Sequence, residues 1–280
     1  LGDVYKRQVN RFISGDYIFC SDSSELIPLN QRKVIGRRAL FEVSPGDVGN
    51  VGVGIADGIG IIAREEGVQD AFTLTVETGA VGGESAQGIF FGATLNSRAL
   101  MEMPAQFDFY DGGGLDVCYL SFAEVDRDGN VNVHRFNGKI VGTGGFVDIC
   151  QNTQKVVFCG TLTAGGLKTA IGNQQIEIEQ EGCFKKFIDK VPEITFNGKD
   201  AIQRGQEVYY VTERAVFKLK VNGLELIEIA PGVDFERDII QQMAFRPTVS
   251  ESLSKMDARL FNEDIMGIKN EWLEKQLGGK

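Results

Sequence analysis

FTLTVETGAVGG, residues 72–83, carries a run of β-forming residues that stops on a single carboxylate, Glu77, and then turns through Gly79, Gly82 and Gly83. Phe72 to Val76 reads as a strand closed by turn residues. In an open α/β sheet the carboxyl ends of the strands face the ligand. A lone acid delivered there into a turn of small residues can serve as a general base or a nucleophile. Spacing alone leaves a second reading open, an edge-of-sheet glutamate that faces water.

Outward from this stretch, Lys33 to Glu42 reads as a helix, Ser44–Asp47 as a turn, Val48 to Gly54 as a short apolar run and Ile55 to Glu66 as a helix closed by Gly67. Asp108 to Gly114 reads as a turn and Val117 to Phe122 as a strand. Ala123 to His134 reads as a hairpin turning at Asp128–Asn130. A short helix follows the Gly142–Gly145 cluster, and Lys155 to Cys159 is a continuous apolar strand of the kind buried on both faces. A β-rich region runs to about Leu226, Phe235 to Met243 reads as a helix, and the charged residues from Ser250 onward read as a frayed helix. Strands alternating with helices early, and more strand later, predict an α/β or α+β domain. Gly112–Gly114 and Gly142–Gly145 also fall at strand ends. Together with the Glu77 turn they would enclose a pocket whose backbone N–H groups face a developing oxyanion.

The 280 residues are 42% hydrophobic and 24% charged, enough for one large domain or two small ones. A formal charge of −10 argues against nucleic acid or an anionic membrane as the main partner. No apolar run reaches the roughly 20 residues of a membrane span, and no secretory signal is visible. Cys20, Cys118, Cys150, Cys159 and Cys183 are odd in number and widely spaced, which predicts reduced thiols and a cytoplasmic setting. With a single histidine and no tight ligand spacing, no metal site is expected. That histidine, His134, lies in a turn-rich stretch and reads as a surface-loop residue rather than a catalytic base.

Gly52-x-Gly54-x-x-x-Gly58 misses the dinucleotide fingerprint by one residue, and close packing of a helix on a strand explains its glycines equally well. No GxSxG elbow occurs. The opening LGDVYKRQ has the look of a translated sequencing adapter or transposon end, with no initiator Met. Residues 1–8 are therefore set aside as non-native, which predicts a natural chain extending upstream.

FTLTVETGAVGG, QFDFYDGGGLDVCYLSFAEVD, DGNVNV, GTGGFVDICQNTQKVVFCGTLTAGGLK, YYVTERAVFKL and LIEIAPGVDFERDIIQQM, spread in order from about Arg32 to Pro247, together resemble the C-terminal half of family I acyl-CoA transferases. The likeness is to the single-chain propionate/acetate (short-chain acyl) type. The resemblance implies an α/β fold: an open, mostly parallel sheet flanked by helices, NagB/RpiA-like, with a β-rich C-terminal part. It implies residues 9–31 as the remnant of an interdomain linker, 32–248 as the catalytic domain and 249–280 as a charged tail. Glu77-Thr78-Gly79 matches the family's E-x-G turn, so Glu77 would be the nucleophile of a ping-pong reaction through an acyl-glutamyl anhydride and a glutamyl-CoA thioester. Gly79, Gly82 and Gly83 would clear the approach of CoA, and Gly144 or Gly145 would donate an N–H to the oxyanion.

No permanently bound cofactor is implied; coenzyme A enters as acyl-CoA substrate, with a short-chain carboxylate as the second substrate. The family's N-terminal (α) half is absent, so the chain reads as a truncated coding sequence or a separate β subunit, inactive by itself, and as part of a homo-oligomer. The alternatives are an acyl-CoA hydrolase of the same fold, and a non-catalytic α/β module that holds CoA or a nucleotide.

Overall fold

A computed structural model of the chain describes residues 11–19, 26–86, 90, 92–136 and 138–278; residues 1–8, Cys20 and Phe91 lie outside them. Helix α1 (Gln31–Leu40) begins at Asn30, whose side chain accepts from the Lys33 N–H. The chain continues through β1 (Val48–Val51), α2 (Ile59–Glu65), β2 (Thr73–Val76), β3 (Ala80–Val81), β4 (Ala99–Leu100) and α3 (Met103–Asp111). Then come β5 (Val117–Ser121), α4 (Phe146–Gln151), β6 (Lys155–Cys159), α5 (Gly198–Gln203), β7 (Glu207–Val211), β8 (Ala215–Lys220), β9 (Gly223–Ile229), β10 (Thr248–Lys255) and α6 (Lys269–Gly278).

These strands form one sheet in the order β10-β9-β8-β7-β6-β5-β1-β2-β3-β4. Its centre, from β2 through β1, β5 and β6 to β7, is parallel. β3 and β4 extend one edge antiparallel, and β8 and β9 the other. The architecture is thus a mostly parallel α/β sheet with helices on both faces.

Burial on both faces explains why β5 and β6 are unbroken apolar runs. Cys118 and Leu120 of β5, with Val156 and Phe158 of β6, enter one core beside Tyr110 of α3 and Phe146 and Ile149 of α4. Their alternates Val117, Tyr119, Val157 and Cys159 enter the other core against Val34 and Ile35 of α1 and Ile59 and Ile62 of α2. Cys118, Cys150 and Cys159 are buried free thiols, whereas Cys183 is exposed.

Three expectations change. The turn predicted from Asp108 starts only at Gly112: Pro104 in the first turn favours the helix that now holds Phe107 to Asp111. Phe235 to Gln242 forms a wide helical turn and a tight one rather than a regular helix. The tail predicted as a frayed helix from Ser250 begins instead as strand β10, paired parallel to β9, and is helical only later, in α6. The segment after β10 is tied down by side chains the period could not reveal. Arg37 donates to the carbonyls of Leu260, Asn262 and Asp264. Glu66 accepts from the Met266 and Gly267 N–H groups, and Trp272 packs on Phe72 at 5.6 Å between ring centroids. Among the described residues no helix is long and apolar enough to cross a membrane.

Candidate active site

The carboxyl ends of β1, β2 and β5 open into a cleft of about 240 Å³. It is lined by Gly52 and Val53 after β1, Glu77 after β2, Leu120 and Ser121 of β5, and the Gly142–Phe146 turn that enters α4. Glu77 stands where the parallel sheet predicts a ligand. It is half-buried, and removal from water pushes its carboxyl up from the ordinary 4.5. The charge of Asp148, in the first turn of α4, pushes the same way.

Gly145 is the tightest point. A Cβ there would lie 2.3 Å from Glu77 Oε2 and 2.9 Å from the Phe107 ring. Only a residue without a side chain lets the turn touch the carboxylate. Gly144 has φ +54° and open space beside it. The turn is closed by the Phe146 N–H donating to Thr143 O at 3.2 Å. The structure therefore brings Glu77, Gly144 and Gly145 together.

It does not bring the other glycines to them. Gly79 abuts the Met101 carbonyl and Gly83 the Leu95 carbonyl, where an added Cβ would fall 2.0 and 2.2 Å away. With φ of +112° and +76°, they let the backbones flanking β3 meet their neighbours. None of Gly79, Gly82 and Gly83 lines the cleft. Gly82 and Gly83 line a separate cavity of about 430 Å³, bordered by the Arg64–Glu84 and Arg98–Asp70 pairs and holding none of the Glu77 group. Gly112–Gly114 sits at the amino end of β5, so the expected three-way convergence of glycine turns fails. Gly52 supplies the third wall instead; a Cβ there would press on Leu120 of β5 at 2.9 Å. His134 pairs with Glu193 at 2.5 Å and with Thr195 at 2.7 Å, away from Glu77.

Sequence reading missed Asp148 and a buried polar group beneath the cleft made of Asn50, Thr75, Gln106 and Tyr110. The signal for the last was present. Asn50 interrupts the apolar run of β1 and Thr75 that of β2, each two residues before a cleft position.

No family model matches the chain. It is 62% identical over 259 residues to acetate CoA-transferase YdiF of Escherichia coli O157:H7, covering 92% of this chain and 49% of that protein. Caffeate CoA-transferase of Acetobacterium woodii is 43% identical over 248 residues, covering 87% of this chain and 47% of that protein. The crystal structure of the E. coli O157:H7 acyl-CoA transferase YdiF in a thioester complex with CoA superposes with a TM-score of 0.85 at 60% identity, over 93% of this chain and 48% of that one. The chain belongs to the family I CoA-transferases. It spans about half the length of the curated relatives it matches. The CoA-transferase sheet places Glu77 at its carboxyl edge, and the relatives match nearly the whole of the sequence that builds it.

Proposed function

We propose that the chain is the catalytic half of a short-chain acyl-CoA:carboxylate CoA-transferase, with Glu77 as its covalent nucleophile. The observation that carries this is the half-buried Glu77 carboxylate held against the Gly145 turn at the mouth of the parallel sheet. The Glu77 carboxylate attacks the acyl-CoA thioester carbonyl, the C–S bond breaks, and an acyl-glutamyl anhydride and CoA thiolate result. The thiolate attacks the glutamyl carbonyl and expels the donor carboxylate, leaving a glutamyl-CoA thioester. The acceptor carboxylate then attacks that thioester and releases the thiolate, which takes the new acyl group and frees Glu77.

Each tetrahedral intermediate carries an oxyanion, and the Gly144 and Gly145 N–H groups, in the turn that meets Glu77, would receive it. Water has to be kept out, or anhydride and thioester would hydrolyse. One open cleft does not exclude it, and no lysine or arginine lines that cleft among the described residues. Both features support a second wall, supplied by the N-terminal half as a fused segment or a separate subunit.

The test mixes the chain, its partner half and acetyl-CoA, then seeks CoA bound at Glu77 by intact mass. A CoA adduct that is absent in Glu77→Ala, with activity destroyed by borohydride, supports the transferase. Acyl-CoA consumed without any adduct points to the hydrolase, and binding without consumption to a non-catalytic module.

A further inference from the structure

We infer that Tyr110 is a positioning residue for Glu77: a one-way chain of buried hydrogen bonds from α3 fixes the end of β2 and the carboxylate it carries. Asn50 Nδ2 donates to the Tyr110 hydroxyl at 2.9 Å, and Gln106 Nε2 donates to it at 2.8 Å. A phenol has one proton and two acceptor sites. Both acceptor sites are thus filled, and the proton has one direction left, to Thr75 Oγ1 at 2.8 Å. The Thr75 hydroxyl in turn donates to Gly49 O at 2.9 Å. No link can reverse without stranding a buried donor.

All four side chains are essentially inaccessible: Asn50, Gln106 and Tyr110 at 0% and Thr75 at 2%. Among the described residues Asn50 Oδ1 and Gln106 Oε1 have no partner at all. An apolar filling would avoid that penalty, so packing does not account for the cluster. Its place does. Thr75 lies within β2, two residues before Glu77, which directly follows the strand's last residue, Val76. Asn50 stands two residues before Gly52 of the cleft wall. The helix that carries Tyr110 and Gln106 also brings the Phe107 ring to the point where Gly145 meets Glu77 Oε2. Burial lifts the Tyr110 hydroxyl above its ordinary 10.0, with the Glu77 charge adding to it, so the phenol keeps its proton and feels the carboxylate.

The kinetic half of the test rests on the proposed role of Glu77; the first half does not. In the 280-residue chain with carbon-13 at its glutamate carboxyls, the Glu77 resonance is assigned by its loss in Glu77→Gln and then titrated. Tyr110→Phe and Thr75→Val should lower its pKa toward the ordinary value as the strand end loosens and water reaches the carboxylate. Thr75→Ser, which keeps the hydroxyl, should restore it. Val157→Ala, a truncation in the opposite core, should leave it in place. With the partner half and saturating acetyl-CoA, Tyr110→Phe should slow thioester formation on Glu77 by about 10- to 100-fold, with half-saturation changed less than about twofold.

An unchanged Glu77 titration in both Tyr110→Phe and Thr75→Val overturns the inference. So does a shift of the same size in Val157→Ala. A shifted titration with no wild-type thioester leaves the positioning standing and removes the nucleophile. Equal thioester rates in wild type and Tyr110→Phe do the reverse.

Discussion

Gly145→Ala is the sharpest single perturbation of this site, because backbone strain does not confuse its result. Gly145 has φ −80° and ψ 7°, outside the left-handed region that demands glycine. The new methyl would start 2.3 Å from Glu77 Oε2, against an ordinary carbon–oxygen contact of about 3.3 Å. The Phe107 ring, 2.9 Å away, blocks retreat on its side. The far end of a flexible side chain yields more readily than backbone, so the Glu77 carboxylate should withdraw by about 1 Å. A misplacement of that size costs about 10²-fold in rate, or about 2.7 kcal/mol of transition-state stabilisation. Folding stability should change by less than about 1 kcal/mol, since the loss of glycine freedom in the unfolded chain offsets the strain. The assay pairs a thermal melt with the rate of CoA release from acetyl-CoA in the presence of the partner half. A wild-type rate in Gly145→Ala would refute the contact, and a collapse of the melt would refute the claim that Glu77 alone yields.

Asp148→Asn should bring the Glu77 pKa down, so the acid limb of the pH–rate profile moves to lower pH. Because the folded pKa of Glu77 lies above the unfolded 4.5, its ionisation opposes folding. Stability falls as pH rises through that interval, and Glu77→Gln should remove the fall in melts from pH 4 to 8. Burial holds Lys186 down from 10.5 to about 8, its Nζ standing 3.9 Å over the Phe122 ring. The unfolded chain binds the extra proton between those values, so stability should rise from pH 8 to 10.5, and Lys186→Met should abolish the rise while stabilising the chain at pH 7 by at most about 3 kcal/mol. Trp272→Ala, which removes a side chain 4% exposed from the core beside Phe72, should cost about 3 kcal/mol. Limited proteolysis should then cut the segment after Lys255.

The strand ending on Glu77 was legible because a run of β-formers and a turn full of glycine are local signals. So were β5 and β6, whose unbroken apolar character states that both faces are covered. What the glycines do was not local. Gly145 and Gly83 look alike in sequence, yet one touches a carboxylate and the other the backbone carbonyl of Leu95. Gly112–Gly114 and Gly142–Gly145 both adjoin strands, and nothing in the residues says which end of the sheet each occupies. Tyr110 was hidden in a predicted turn because the following glycines masked the helix begun at Met103. The residues after Ser250 have little period of their own. Their order comes from Arg37 and Glu66, each roughly two hundred residues away in the chain.

The charge of the cleft gives the proposed N-terminal half a chemical task as well as a structural one. Glu77 lines the cavity and the Asp148 charge reaches it, while no lysine or arginine stands in the lining among the described residues. A carboxylate kept partly from water beside a like charge is poorly stabilised as an anion. That favours its attack on a thioester, which is neutral at the reacting carbon. The next reactants are a thiolate and a carboxylate; Glu77 is by then acylated and uncharged, but the Asp148 charge still repels both. In the proposed mechanism the Gly144 and Gly145 N–H groups would offset only part of that repulsion. In the one-sided cleft the first acyl transfer should therefore proceed and the return steps should stall. The chain alone, mixed with acetyl-CoA and propionate, should form no propionyl-CoA and release CoA only as fast as water hydrolyses the anhydride, whereas adding the partner half should restore sustained exchange. Sustained propionyl-CoA formation by the chain alone would show that its own backbone dipoles suffice, and that no cation need come from outside.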